Sequence, residues 1–301
     1  MIHKHLKNDF EIYRLLGLDG DTNYFNWTFF QDKAVVRQEK NTWVYHKSNL
    51  VEFQFDRSKN ILTTPKVLYT DDIISYEDPR LVNENDICYV KVNRPKDEID
   101  GMRRAGDFKV NLMFNDIDCN KKFNKVDSYE KNWQFENNNE FLYSINPYII
   151  YQNNQYVNKG NFPLTNFKYG KDQYNLSTNK FTINNRQFIF FHTQEYVNDN
   201  FVKYYQGVLE IKDNKPITYC KEPFFYPSDY LSDKNKLSQI FRFREISESI
   251  LYRYQLGYFS TARVENNKLN ISCGLNECES VLLSINCEKF VDWYDSLLQT
   301  F

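Results

Sequence analysis

The chain has 301 residues, 41% hydrophobic and 17% aromatic, with 23 Tyr and 25 Phe. That is ample for a core of aromatic and β-branched side chains, which suit pleated, half-buried surfaces. Charge is nearly balanced at 38 Lys plus Arg against 40 Asp plus Glu, so no single-signed field exists to attract nucleic acid or anionic lipid. No apolar run approaches the roughly 20 residues that span a bilayer, and Met1 to Phe10 lacks the apolar stretch of a secretory signal. A cytoplasmic protein without a membrane span is expected. Its six cysteines include no C-x-x-C pair, which argues against zinc and for reduced, buried thiols.

Along the chain, short aromatic-rich runs alternate with polar turns. Turns that read as hairpin tips occur at Gln31-Asp32-Lys33, Asn83-Glu84-Asn85-Asp86, Asn137-Asn138-Asn139, Asn184-Asn185 and Glu265-Asn266-Asn267. The first four recur roughly every 47 to 54 positions, about the length of a four-stranded propeller blade. Five blades fit the length and predict an all-β, five-bladed β-propeller occupying residues 1–301 as one domain. The longer last interval predicts an insertion at about 212–250, where Pro216, Pro223 and Pro227 break regular strands and Leu237 to Ile250 suit a short helix. Phe290, Val291, Trp293, Tyr294, Leu297 and Leu298 recur at helical spacing and predict a terminal amphipathic helix over about 287–300.

A hairpin returns to the level from which it started, so residues six to eight positions before and after a tip share one rim. Asn26, Asp78, Lys131-Asn132-Trp133 and Ser177-Thr178 stand before tips, and Ser144-Ile145-Asn146, His192 and Asn276-Glu277 stand after them. Asp78 lies between Glu77 and Pro79-Arg80, where proline restricts the backbone and arginine supplies a nearby positive charge. A carboxyl group there suits proton donation to a glycosidic oxygen if burial keeps it protonated near neutral pH, an effect that the arginine opposes. The same residues would also suit a turn with a surface salt bridge. Lys131 would also suit a solvated lysine beside a core Trp133, and His192 a hydrogen-bonded rim histidine.

Tyr76-Glu77-Asp78-Pro79-Arg80-Leu81 resembles the Glu-Asp-Pro-Arg signature of glycoside hydrolase family 130, the five-bladed β-mannoside phosphorylases and mannosidases. Phe25-Asn26-Trp27-Thr28 through Arg37 is similar to that family's opening blade, Glu130-Lys131-Asn132-Trp133 to its third-blade lysine segment, and Phe191-His192-Thr193 to the end of its fourth blade. Ser272-Cys273-Gly274-Leu275-Asn276-Glu277 is similar to its final Tyr-Gly-x-x-Asp. The matches follow the family's order along the chain. The resemblance implies that Asp78 is the proton donor and that Arg37 and Lys131 line the sugar and anion site, with His192 and Asn276 shaping the pocket. Asn26, Glu77, Arg80, Asn132, Asn146 and Glu277 complete the implied binding set.

Departures from the pattern are specific. Tyr143-Ser144-Ile145-Asn146-Pro147 stands where the phosphorylases carry a His-Arg pair, and Glu277 replaces the terminal Asp. Loss of a cation weakens an anion cradle more than a sugar site, because charge-assisted hydrogen bonds are the stronger ones. The leading expectation is inverting phosphorolysis of a mannoside-type bond or mannosyl transfer from a sugar phosphate. No cofactor or metal is expected, and inorganic phosphate or sugar phosphate would be the co-substrate beside an oligosaccharide. Inverting hydrolysis would need a second carboxylate, for which Glu277 or Glu279 is placed. A glycan-binding propeller without turnover is the third possibility.

Overall fold

The computed structural model describes residues 10–19, 22–40, 48–71, 74–93, 109–123, 132–137, 139–170, 174–198, 201–224, 254–255, 257–275 and 279–301. Its strands form five sheets, the blades of a five-bladed β-propeller. Contacts divide the chain into two compact units, Leu15–Lys131 and Met1–Arg14 with Asn132–Phe301.

The Leu15–Lys131 unit holds two blades. The first runs β2 (Thr22–Phe30), β3 (Lys33–Lys40), β4 (Ser48–Asp56) and β5 (Ile61–Tyr69), and the second β6 (Ile74–Leu81), β7 (Ile87–Asn93), β8 (Lys109–Phe114) and β9 (Ile117–Asp118). Each is an antiparallel meander of hydrogen-bonded neighbours. A single turn of helix, α1 (Cys119–Lys122), follows β9 and is capped by Asp118, whose side chain accepts from the Lys121 amide. Val35, Leu50, Leu81, Ile87, Tyr89 and Met113 form a buried cluster in this unit.

The other unit holds three blades. Its first is β10 (Gln134–Asn137), β11 (Glu140–Ser144), β12 (Tyr148–Gln152) and β13 (Gln155–Gly160). The next places β14 (Asn175–Leu176) and β15 (Phe181–Ile183) against β16 (Arg186–Asn198), followed by β17 (Phe201–Lys212), β18 (Lys215–Cys220) and the short β19 (Tyr254–Gln255), which lies parallel to β17. The last is β20 (Gly257–Glu265), β21 (Lys268–Leu275) and β22 (Glu279–Asn286), completed by β1 (Phe10–Arg14) from the start of the chain. Helix α2 (Cys287–Leu297) follows, N-capped by Asn286, and β23 (Leu298–Thr300) then pairs with β18. The chain end thus links two blades. Phe290, Trp293 and Tyr294 of α2 enter the same core as Phe188, Phe190 and Phe259. Full burial of a phenylalanine stabilises by about 1.5–3 kcal/mol.

The predicted tips at 31–33, 83–86 and 265–267 are turns between the first two strands of their blades, Asn184-Asn185 joins β15 to β16, and the tip at 137–139 falls between β10 and β11 with its middle residue outside the described residues. Two of these tips use paired asparagines, which suit two-residue turns of type I′ because such turns need positive φ at both central positions. Asn184-Asn185 and Asn266-Asn267 have it, as do Asn115-Asp116, Asn153-Asn154 and Asp213-Asn214 at other turns.

Two boundaries differ from the sequence expectation. The terminal helix stops at Leu297, because Leu298 turns extended (φ −64°, ψ 147°) and the chain continues as a strand. Pro216 lies within β18, early in the strand and beside a register shift, where the missing N–H costs no regular ladder bond. The remainder of the expected insertion from 225, including Leu237 to Ile250, lies outside the described residues. Among the described residues no helix is long and apolar enough to cross a membrane.

Cys88, Cys119, Cys220, Cys273 and Cys287 are buried free thiols. Burial pushes the Cys119 thiol up to about 12 and raises Cys88, Cys220 and Cys273 as well. Almost no thiolate therefore exists at mildly alkaline pH. Iodoacetamide is expected to leave Cys88, Cys119, Cys220 and Cys273 unmodified in the native protein and to label all four in urea, as read by peptide mass spectrometry.

Candidate functional site

The first strands of the blades share an irregularity. In β2, Phe25 pairs with Arg37 and Thr28 with Val35, so three steps on one strand match two on the other. β6 repeats this between Glu77 and Arg80, and β20 carries one extra residue between Phe259 and Thr261. These are β-bulges, which re-aim side chains. Asn26 (φ 46°) and Asp78 (φ 48°) occupy the bulges, and Asn132 (φ 70°) stands just before β10. A left-handed backbone is unfavourable for a residue with a Cβ, least so for Asn and Asp, and Asp78 takes it directly before a proline.

Where bulges break the ladder, a side chain from the preceding blade bonds the exposed backbone. Thr28 Oγ1 accepts from the Leu81 amide at 2.9 Å. Asn179 Nδ2 donates to the Ala262 carbonyl at 2.9 Å, and its Oδ1 accepts from the Ala262 amide at 3.1 Å. Buried main-chain groups thus remain paired.

Within Leu15–Lys131, the bulges bring an acidic centre together. Asn26 Nδ2 donates to Asp78 Oδ1 at 2.8 Å. Arg37 Nη1 lies 4.0 Å from the same oxygen, and Arg37 Nη2 donates to Glu77 Oε1 at 3.1 Å. Arg37 is itself aimed by Ser48, whose Oγ accepts from Nε at 2.7 Å, and by the Phe25 ring, 4.6 Å below the guanidinium. Ser75 Oγ lies 3.0 Å from Ser48 Oγ and donates to Glu77 Oε1 at 3.1 Å. The Arg37, Glu77 and Asp78 side chains are only 8%, 16% and 11% exposed. At such burial a charge is tolerated only when paired and hydrogen-bonded. Arg80 is buried opposite Cys88 on the β6–β7 ladder.

The other unit carries a second polar cluster. His192 on β16 faces Gln206 on β17 across the ladder, and both are buried. Its Nδ1 lies 2.8 Å from Ser177 Oγ, which donates to Gln206 Oε1 at 2.8 Å, and Gln206 Nε2 donates to the Gly257 carbonyl at 2.6 Å. The His192 ring packs against Tyr204 and Tyr258, and the Tyr258 hydroxyl donates to Asn132 Oδ1 at 3.2 Å.

Of the predicted site residues, Asn26, Arg37, Glu77 and Asp78 lie in one cluster and Asn132 and His192 in the other. Asn146 lies apart from these contacts, exposed in the β11–β12 turn with its Oδ1 accepting from the Phe162 amide. Lys131, Asn276 and Glu277 lie outside the described residues. Trp133 is a core residue stacked on Phe141 at 4.6 Å. Sequence reasoning missed Ser48, Ser75, Gln206 and Tyr258. The first two are small residues whose only signal is their contact with Arg37 and Glu77. Gln206 belongs to no motif, and Tyr258 was one aromatic among many.

No protein-family model and no curated protein sequence matches the chain. Solved structures do share its fold. A GDP-Man-dependent mannosyltransferase from Leishmania mexicana superposes with TM-score 0.58 at 12% identity, over 93% of this chain and 91% of that one. A β-1,2-mannobiose phosphorylase from Listeria innocua gives 0.53 at 11%, over 97% and 94%. A glycosyl hydrolase from Bacteroides ovatus gives 0.54 at 9%, over 89% and 85%. The fold is therefore that of the mannoside-phosphorylase and glycoside-hydrolase propellers.

Arg37→Leu is expected to destabilise the protein by about 3–5 kcal/mol in urea unfolding, because it leaves carboxylates buried without their cation. Adding Glu77→Gln should recover part of that loss. A single variant as stable as the parent would mean that Arg37 does not hold the cluster.

Proposed function

We propose that the protein is a carbohydrate-active enzyme that makes or breaks a mannoside-type bond, with Asp78 as the proton donor. The supporting observation is the placing of Asp78: a nearly buried carboxyl on a left-handed bulge, with one oxygen fixed by Asn26 and approached by Arg37. Strained residues held by surrounding structure cluster at active sites. A restrained carboxyl group is what general acid catalysis requires, since the proton must meet one particular oxygen. The shared fold with a mannoside phosphorylase, a glycosyl hydrolase and a mannosyltransferase supports the substrate class without choosing the reaction.

Within that class, the favoured chemistry is inverting phosphorolysis or its reverse, mannosyl transfer from a sugar phosphate. In the degradative direction a phosphate oxygen bonds to the anomeric carbon from the opposite face as the glycosidic C–O bond breaks. Asp78 gives its proton to the departing oxygen. One protein carboxyl group suffices, because phosphate supplies the anionic nucleophile. Run backward, Asp78 takes the proton from an acceptor hydroxyl and phosphate leaves. Arg37 would set the rotamers of Asp78 and Glu77 for either direction.

Phosphate release from mannose 1-phosphate in the presence of an oligosaccharide acceptor is the direct assay. Asp78→Asn is expected to lower kcat/KM by about 10²–10⁴-fold, and unchanged activity would remove Asp78 from the mechanism. Product carrying oxygen from labelled water would establish hydrolysis instead. Glycan binding with no turnover on any donor would make the protein a binding module.

A further inference from the structure

Arg37 stands beside two adjacent acids and favours one of them. Its Nη2 donates to Glu77 Oε1 at 3.1 Å, whereas Nη1 stops 4.0 Å from Asp78 Oδ1, beyond hydrogen-bonding distance. That preference is built into a ring of hydrogen bonds. Ser75 Oγ gives its single hydrogen to Glu77 Oε1 at 3.1 Å, so at the 3.0 Å contact between the two serines Ser48 Oγ must be the donor. The Ser48 amide also donates to Ser75 Oγ, at 3.2 Å, and Ser48 Oγ accepts from Arg37 Nε at 2.7 Å. Two arms, one direct and one through the serines, therefore run from Arg37 to Glu77 Oε1.

The backbone sets every member of the ring. Ser75 and Glu77 are two positions apart on β6 and share a face. Ser48 opens β4 opposite Glu39, which is two residues along β3 from Arg37. Ser48 and Ser75 are fully buried, so water does not compete for their bonds. The left-handed bulge takes Asp78 out of the alternation of β6 and beside this ring. Strands β2, β3, β4 and β7 pack against β6, and their other described charges are few. β2 has none, and Glu39 is a further acid buried on the same face of β3 as Arg37. On β4, Glu52 pairs with Lys33 and Asp56 with Lys59; on β7, Lys91 lies opposite Tyr76. Arg80, on β6 itself, is buried opposite Cys88.

We infer that Glu77 is a positioning residue that acts on Asp78 through Arg37: by closing the ring with Ser48 and Ser75 it holds the guanidinium off Asp78 and lets that carboxyl group keep its proton. An arginine in contact with an aspartate lowers its titration by about 1–3 units, whereas a neighbouring carboxylate raises it. A proton donor beside Arg37 therefore needs the cation directed elsewhere, and Glu77 does both. That differs from the role implied by resemblance, in which Glu77 belongs to the binding set. Only the consequence for turnover rests on the proposed function, since the ring follows from contacts within the protein.

Carboxyl NMR on the full chain with ¹³C-labelled aspartate tests this without substrate, the Asp78 signal being assigned by its loss in Asp78→Asn. In the wild type Asp78 is expected to titrate above the ordinary aspartate value of about 3.9. Glu77→Gln, which keeps the shape but removes the charge, should lower that titration by about one unit or more. Arg37→Leu combined with Glu77→Gln should bring it back toward the wild type. A wild-type Asp78 titrating below the ordinary value, an unshifted one in Glu77→Gln, or an equal drop in the double variant would each overturn the inference. Should Glu77→Gln fail to fold, Ser75→Ala opens the ring with every charge in place; a smaller downward shift is expected, and none would overturn the inference. The pH profile of kcat/KM for phosphate release from mannose 1-phosphate reads the consequence. Asp78 acts there as a base, so activity rises as it loses its proton, and in Glu77→Gln that rise should move to lower pH. A shifted Asp78 titration with an unmoved profile would count against the proposed function and leave the positioning role in place.

Discussion

A β-strand cannot point two successive side chains to the same face, so a regular first strand would spread its polar residues over both faces of a blade. The bulge removes that restriction. By admitting one extra residue at left-handed φ, it aims Asn26 and Asp78 at each other across two blades while Trp27 and Leu81 stay in the core. The conformation costs of order 1–3 kcal/mol per residue and persists because neighbouring groups leave no alternative. Thr28 holds the Leu81 amide, Arg37 and Ser75 hold the Glu77 carboxyl group beside Asp78, and Ser48 holds Arg37. Removing the bulge would return Asp78 to the alternation of the strand and disperse the cluster.

The two polar clusters use different physics. Around Asp78 the groups are charged, and the buried Arg37 is what makes adjacent acids at positions 77 and 78 tolerable. Around His192 the described hydrogen-bond partners are neutral, and orientation comes from a one-way run of hydrogen bonds that ends on a main-chain carbonyl.

Much of the blade plan was legible because it rests on local chemistry. Two-residue turns need positive φ, asparagine tolerates it, and so Asn184-Asn185 and Asn266-Asn267 announce their hairpins in the sequence. Asp78 was legible for a related reason, since it stands between Glu77 and Pro79-Arg80, where proline restricts the backbone, in a segment that resembles a family signature. The bulges themselves were not, because register is decided by pairing with a strand elsewhere in the chain. Arg37 as the nearby cation, Ser48 and Ser75 as its supports, and the Ser177–Gln206 run depend on contacts between residues 11 to 40 positions apart. The end of α2 at Leu297 was hidden too, because Leu298 continues the helical spacing and stops it only by pairing β23 with β18.

The most direct test compares the stabilities of Asp78→Gly and Asp78→Ala by urea unfolding, since both remove the carboxylate and differ only in tolerance of positive φ. In an ordinary strand position alanine is the more stable by about 0.5–1 kcal/mol. At a left-handed residue the order should reverse, with the glycine variant more stable by about 1 kcal/mol or more. An alanine variant as stable as the glycine variant, or more so, would contradict the account that a left-handed bulge positions Asp78.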